Sequence, residues 1–190
     1  MGHRALVAYR RADRLFDLRY SHWGGQNLSL AAEISAESPL ANGAIGADVL
    51  GDSIARERIL PDFLDPCVHE MLYFVVPDRE YAVTAYRVCW LEWGDGRDQG
   101  RGAIVETAVD DDRDVRTWFL ATKTTLADVV EMGALSRRAA QAYLESRICE
   151  NDGIVYTYGD PLETDSEYTP RPDSWLEDDS QRCGRNDENR

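Results

Sequence analysis

The sequence predicts an α+β fold, with a mostly antiparallel sheet of about six to eight strands and two or three helices. Three observations carry that prediction. Residues 4–25 read as a β-hairpin. Residues 68–93 hold two runs dense in strand formers, joined by a turn that contains Pro77. From residue 125 the apolar spacing changes from two to helical, so that strands come first and helices afterwards. The expected organisation is a single α+β domain over residues 1–158 and an acidic, disordered tail over 159–190.

In the hairpin, Ala5, Val7 and Tyr9 alternate with Leu6, Ala8 and Arg10. Residues 11–14 are a polar break, and Leu15, Phe16, Leu18 and Tyr20 resume the strand pattern. The second strand runs into Ser21-His22-Trp23-Gly24-Gly25, where two glycines let the backbone turn or approach a neighbour closely. Residues 28–34 are a third strand or a helical turn, and residues 35–46 form a loop. Asp48 is placed to cap a helix running to about Ile59, with Pro61 stopping it.

Strands are expected over 68–76 and 81–93. The second is apolar on both faces and therefore central, with Trp90 and Trp93 on opposite faces. Residues 94–102 read as a mobile glycine-rich loop. Further strands are expected over 103–109 and 115–122, separated by an acidic turn at 110–114. Thr125 then caps a short helix, Ser136 caps a second, and residues 154–158 are a last strand. Beyond Gly159 the composition shifts: residues 159–190 hold ten acids, four arginines and three prolines, with little apolar matter.

The formal net charge is -14, and all but one of the 21 Lys and Arg residues are arginine; Lys123 is the exception. That composition points to a halophilic protein, because carboxylates hold water in concentrated salt and screening suppresses their mutual repulsion. Charge then reports the solvent more than the partner, so it weakens a nucleic-acid reading without excluding it. No secretory segment and no run long enough to cross a bilayer is present, so the chain is expected to be cytoplasmic and away from membranes. Cys67, Cys89, Cys149 and Cys183 stand far apart without a C-x-x-C pair, which is neither a zinc nor a disulfide framework. Cys67 and His69 could share a metal, but a thiol buried on a strand is the plainer reading. No cofactor motif is found, and the metal set is read as none.

The first candidate site is Tyr20, His22, Trp23, Gly24 and Gly25. Alternation puts Tyr20 and His22 on one strand face. His22 is a natural proton shuttle, and Trp23 beside Gly24-Gly25 could floor a ligand or partner surface. The plainer alternative makes Trp23 a core aromatic and His22 its neighbour. No nucleophile or paired carboxylate falls in the stretch, so no catalytic residue is assigned.

The opening Met1, Gly2 and Arg4, taken with Tyr20, His22, Trp23 and Gly25, resembles an uncharacterised family of small haloarchaeal and haloviral proteins over residues 1 to about 158. Over the hairpin alone it is similar to phage-associated domains that carry Met-Gly-x-Arg and Tyr-x-His-Trp-x-Gly. The resemblance implies a shared fold and brings no reaction. A start strand leading into a hairpin also resembles N-terminal-nucleophile hydrolases. Those need an N-terminal Cys, Ser or Thr, and none precedes Ser21.

The second candidate lies in residues 125–158, which resemble a winged helix-turn-helix with Arg137 and Arg138 in the first turn of the second helix. Five acids against three arginines leave that segment at a net -2, which is poor for a recognition helix. The alternative is a helical hairpin packed on the sheet. The third candidate is the acidic run Asp110, Asp111, Asp112 and Asp114, with Glu177, Asp178 and Asp179. Its spacing is not that of a calcium loop, so it reads as solvated surface.

The function expected from sequence is an accessory protein acting by self-association or by binding another protein. The alternatives are a DNA-binding regulator using Arg137 and Arg138, and an enzyme using His22, with His69-Glu70 as further acid-base groups.

Overall fold

The computed structural model of the protein describes residues 3–93 and 100–159. The expected acidic tail beyond Gly159, most of the expected 94–102 loop, and Met1 and Gly2 lie outside the described residues. Seven strands make one sheet: β1 (Arg4–Arg10), β2 (Phe16–Ser21), β3 (Val49–Ile54), β4 (His69–Val76), β5 (Ala82–Trp90), β6 (Gly100–Glu106) and β7 (Ile154–Tyr158). They are ordered β3-β2-β1-β4-β5-β6-β7. β1 and β4 are parallel and every other neighbouring pair is antiparallel. The helices are α1 (Ser29–Glu33), α2 (Arg56–Arg58, continued by a π turn over Ile59–Phe63), α3 (Asp112–Glu131) and α4 (Arg137–Glu150). The predicted α+β class with a mostly antiparallel sheet therefore holds.

Strand alternation sorts the core into two layers. On one face Leu6, Ala8, Leu18, Leu72, Phe74 and Val88 pack beneath Ile59, Leu60 and Leu64 of the α2 segment. The opposite face has two separate covers. Ala5, Val7, Met71, Tyr73 and Ala85 lie under Leu28, Leu30 and Ile45, while Cys89, Leu91, Ala103 and Val105 lie under Phe119, Leu144 and Ile148 of α3 and α4. Burying each such Leu or Ile side chain stabilises the fold by roughly 1.5–3 kcal/mol. β5 is central and covered on both sides, as its two apolar faces predict. Arg87 falls between Ala85 and Cys89, at the seam between the two covers.

The hairpin forms in the register Ala5↔Ser21 to Arg10↔Phe16, and residues 28–34 resolve to the helical turn α1. Ser136 caps α4 by accepting from the Ala139 N–H at 3.2 Å, as expected. Three assignments are corrected. The expected helix from Asp48 is strand β3, paired with β2 through Leu18↔Gly51 and Arg19↔Val49. Gly51 is a poor helix former, and edge pairing outweighs the helical spacing of Val49, Ile54 and Ile59. Pro61 sits within the π turn instead of ending a longer helix.

The expected strand at 115–122 is part of the 20-residue α3. Val115, Trp118, Phe119 and Leu126 follow helical spacing and pack against the sheet; bulky and β-branched content masked that period. Thr125 is therefore no cap, since it lies inside α3 with its hydroxyl donating to the Ala121 carbonyl at 2.9 Å. Among the described cysteines, Cys89 is a buried thiol and Cys67 a half-buried one, neither of them in a disulfide.

Candidate functional site: an exposed tryptophan on a pinned strand end

β2 ends at Ser21, and the next four residues cross the end of β1. Trp23 is 61 % exposed, so it is not the core aromatic of the plainer sequence reading. His22 is exposed beside it, with the two rings edge to face at 4.7 Å. The Tyr20 hydroxyl lies 3.4 Å from His22 Nδ1, and the Tyr20 ring stands edge-on to His69 at 6.5 Å. Tyr20, His22 and Trp23 thus share one surface with His69, a residue remote in sequence.

The backbone under this surface is tied from several directions. The Ser21 hydroxyl donates to the Ala44 carbonyl at 2.7 Å and accepts from the Gly24 N–H at 3.1 Å. The Gly25 N–H donates to the His3 carbonyl at 2.7 Å. The Tyr73 hydroxyl donates to the Gly24 carbonyl at 2.7 Å, and Arg87 Nη1 to the Gly25 carbonyl at 3.0 Å. A Cβ on Gly25 would lie 2.8 Å from the Arg4 carbonyl oxygen and 2.9 Å from Glu70 Cβ. Gly24 and Gly25 therefore serve close packing, and the turn holding Trp23 is fixed in place.

Arg87 is the hub of the support. Its Nε and Nη2 donate to the Asp112 carboxylate at 2.9 and 2.6 Å, and its Nη1 also reaches the Glu70 carbonyl at 3.3 Å. Arg87 is 3 % and Asp112 8 % exposed, so each charge is neutralised where water cannot do it. Asp112 is thereby removed from the expected solvated acidic run. The Glu70 carboxylate accepts from His3 Nδ1 at 2.9 Å and stands 3.7 Å from Arg87 Nη1.

A bulge explains how neighbouring residues reach different partners. β1 pairs Arg4↔His69 and then Ala5↔Met71, so one extra β4 residue is inserted. Glu70 meets His3 and Arg87, and His69 meets Tyr20. Burial lowers the pKa of His69, with the Asp65 carbonyl acting in the opposite direction. Burial also raises the Tyr73 hydroxyl's pKa well above its ordinary value, so it stays a donor.

Arg137 and Arg138 are exposed in the first turn of α4, whose inner side buries Ala140, Leu144 and Ile148. They lie on a different element from Tyr20, His22 and Trp23. Sequence reasoning missed Tyr73, Arg87 and Asp112 as supports. The available signal was a charged residue in the middle of a strand apolar on both faces, which demands a buried counter-ion. Among the described residues no group of three or more His, Cys, Asp or Glu is placed to hold a metal ion. No described helix is long and apolar enough to cross a membrane.

Fold and surface together define an α+β protein that presents an aromatic corner on a rigid sheet end, with no metal-ligating cluster among the described residues. Residues 1–52 and 42–155 match a family of unknown function (DUF6735), and the chain belongs to that family. No curated protein and no solved structure matches it.

Proposed function

We propose that the protein acts by protein–protein association, with Trp23 as the anchor and a second copy of the chain as the first partner. The observation that carries this reading is an exposed tryptophan on a turn whose backbone is pinned by buried Tyr73 and Arg87. A large aromatic already held in place loses little conformational entropy on binding, which is why tryptophan is enriched among residues that dominate interface energies. Val49 and Leu50 add exposed apolar surface on the edge strand β3, where Val49 pairs with Arg19 of β2, the strand that leads into the Trp23 turn. A two-fold contact would bring the same patch from each copy together. Sedimentation across a concentration range, with Trp23→Ala beside the native chain, tests the reading.

A second reading is supported by the exposure of Arg137 and Arg138 at the start of α4: DNA binding through that turn. Replacing both by Ala should then abolish a salt-sensitive rise in DNA anisotropy, and no rise with the native chain would end this reading. We further infer a halophilic setting, with haloarchaeal or haloviral relatives, from the net charge of -14 and the near-absence of lysine.

A further inference from the structure

All 3 histidines of the chain lie at one end of the sheet: His3 precedes β1, His22 follows β2 and His69 opens β4. Arg4 stands in their midst. Strand alternation puts it on the face of Leu6 and Ala8, and the register sets it beside His69 and next to the Leu6↔Tyr20 pair. β1 lies between β2 and β4, so the Tyr20 and His69 rings, with centroids 6.5 Å apart, meet across it. Leu6, Leu18 and Leu72 end the apolar core on this face, and Arg4, Tyr20 and His69 lie beyond it.

Arg4 is half-buried, and its Nε is enclosed without an acceptor. Among the described residues its guanidinium makes no hydrogen bond and no ion pair. The chain carries 35 acids against 21 bases, so an inward-facing arginine left without a carboxylate is a departure from its surroundings. The nearby acids are engaged elsewhere. Asp65 accepts from the Cys67 N–H at 2.9 Å, and the bulge turns Glu70 toward His3 and Arg87.

We propose that Arg4, Tyr20 and His69 form a binding site for a protonated oxyanion, hydrogen phosphate being the simplest, with His22 at its rim. The Nη edge of a guanidinium makes a forked pair of hydrogen bonds with phosphate oxygens. An anion there would neutralise the charge that the protein leaves unpaired. The Tyr20 hydroxyl, 3.4 Å from His22 Nδ1, is a second donor at the same corner. His69 supplies the opposite polarity. Its Nδ1 lies 3.2 Å from the Asp65 carbonyl oxygen, which can only accept, so the ring proton sits on Nδ1 and Nε2 carries a lone pair. Burial and the Arg4 charge both favour the neutral ring, with Asp65 acting in the other direction. Hydrogen phosphate has oxygens to accept from Arg4 and Tyr20, and a P–OH to donate to Nε2. Sulfate has no proton to give and would set an oxygen against that lone pair.

The test titrates the full chain with inorganic phosphate at pH 7.5 and constant ionic strength, following the three imidazoles by proton NMR. His3→Gln and His22→Gln chains assign the resonances. The expected result is a saturable shift of His69 with half-saturation at about 1 mM phosphate. Sulfate should bind about tenfold more weakly or worse, because it leaves Nε2 without its donor. Arg4→Gln, checked for native circular dichroism, should weaken phosphate binding by about tenfold or more. Arg4→Lys, which keeps the charge and loses the fork, should weaken it several-fold, and Arg79→Gln, an exposed arginine beyond the far end of β4, should leave it unchanged. A native chain without a saturable His69 shift would overturn the proposal. So would an equal shift with sulfate or with KCl at matched ionic strength, or native affinity in both Arg4 variants.

Discussion

Arg87 and Asp112 form a two-pronged ion pair, Nε to Oδ1 at 2.9 Å and Nη2 to Oδ2 at 2.6 Å, at the seam between the two covers of one sheet face. Through the same guanidinium α3 is tied to the Gly25 carbonyl, and so to the turn that carries Trp23.

Breaking that pair strands a buried charge. Arg87→Met should destabilise the protein by about 3–5 kcal/mol, because Asp112 and the Gly25 carbonyl both lose their donor. The double variant Arg87→Met/Asp112→Leu should recover much of that loss, since two apolar side chains need no partner there. Urea unfolding measures both; a single variant within about 0.5 kcal/mol of native would contradict the role given to the pair.

The two glycines after Trp23 should differ in cost. A Cβ at Gly25 meets the Arg4 backbone at 2.8 Å, whereas one at Gly24 meets the Leu30 Cδ2 methyl at 2.7 Å and the Ser21 Oγ at 2.8 Å. Backbone yields less readily than a side-chain end, so Gly25→Ala should cost about 1–3 kcal/mol and more than Gly24→Ala. Equal thermal midpoints for the two variants would sink this distinction.

The hairpin was legible because its alternation and its polar break agree with one another, and Ser136 was legible because a cap acts locally. β3 was not, because its pairing with β2 is a tertiary choice that Val49 and Leu50 do not announce. α3 was missed over Val115 to Thr122 because Trp118 and Phe119 favour strands by propensity while their spacing favours a helix. Within the site, Tyr20, His22 and Trp23 could be read from one stretch. His69 was read only as a possible metal partner of Cys67 or, with Glu70, as a further acid-base group; that it faces Tyr20, and that Tyr73, Arg87 and Asp112 support the turn, depends on strand register and on one bulge.

Acid should weaken the fold through His69. Its folded pKa lies below the ordinary 6.5, chiefly because it is buried. The unfolded chain therefore takes up the proton more readily. The stability this group contributes is complete above pH 6.5 and is lost as pH falls below that value toward the folded pKa. Unfolding free energy followed from pH 7.5 downward should fall less steeply in His69→Gln, and parallel profiles would remove His69 as the cause.

Salt should stabilise the chain. With a net charge of -14, self-repulsion opposes the compact state, and screening shortens from about 10 Å at 0.1 M salt to about 3 Å at 1 M. The thermal midpoint should rise by several degrees on adding molar KCl. A flat or falling midpoint would contradict the halophilic reading.

The most direct test of the central claim is sedimentation velocity of the native chain and of Trp23→Ala in molar KCl over a wide concentration range. The account predicts a concentration-dependent dimer for the native chain, a monomer for the variant, and thermal midpoints that agree, since an exposed ring contributes little to the fold. A native chain that stays monomeric throughout, or a variant that dimerises equally well, would contradict it.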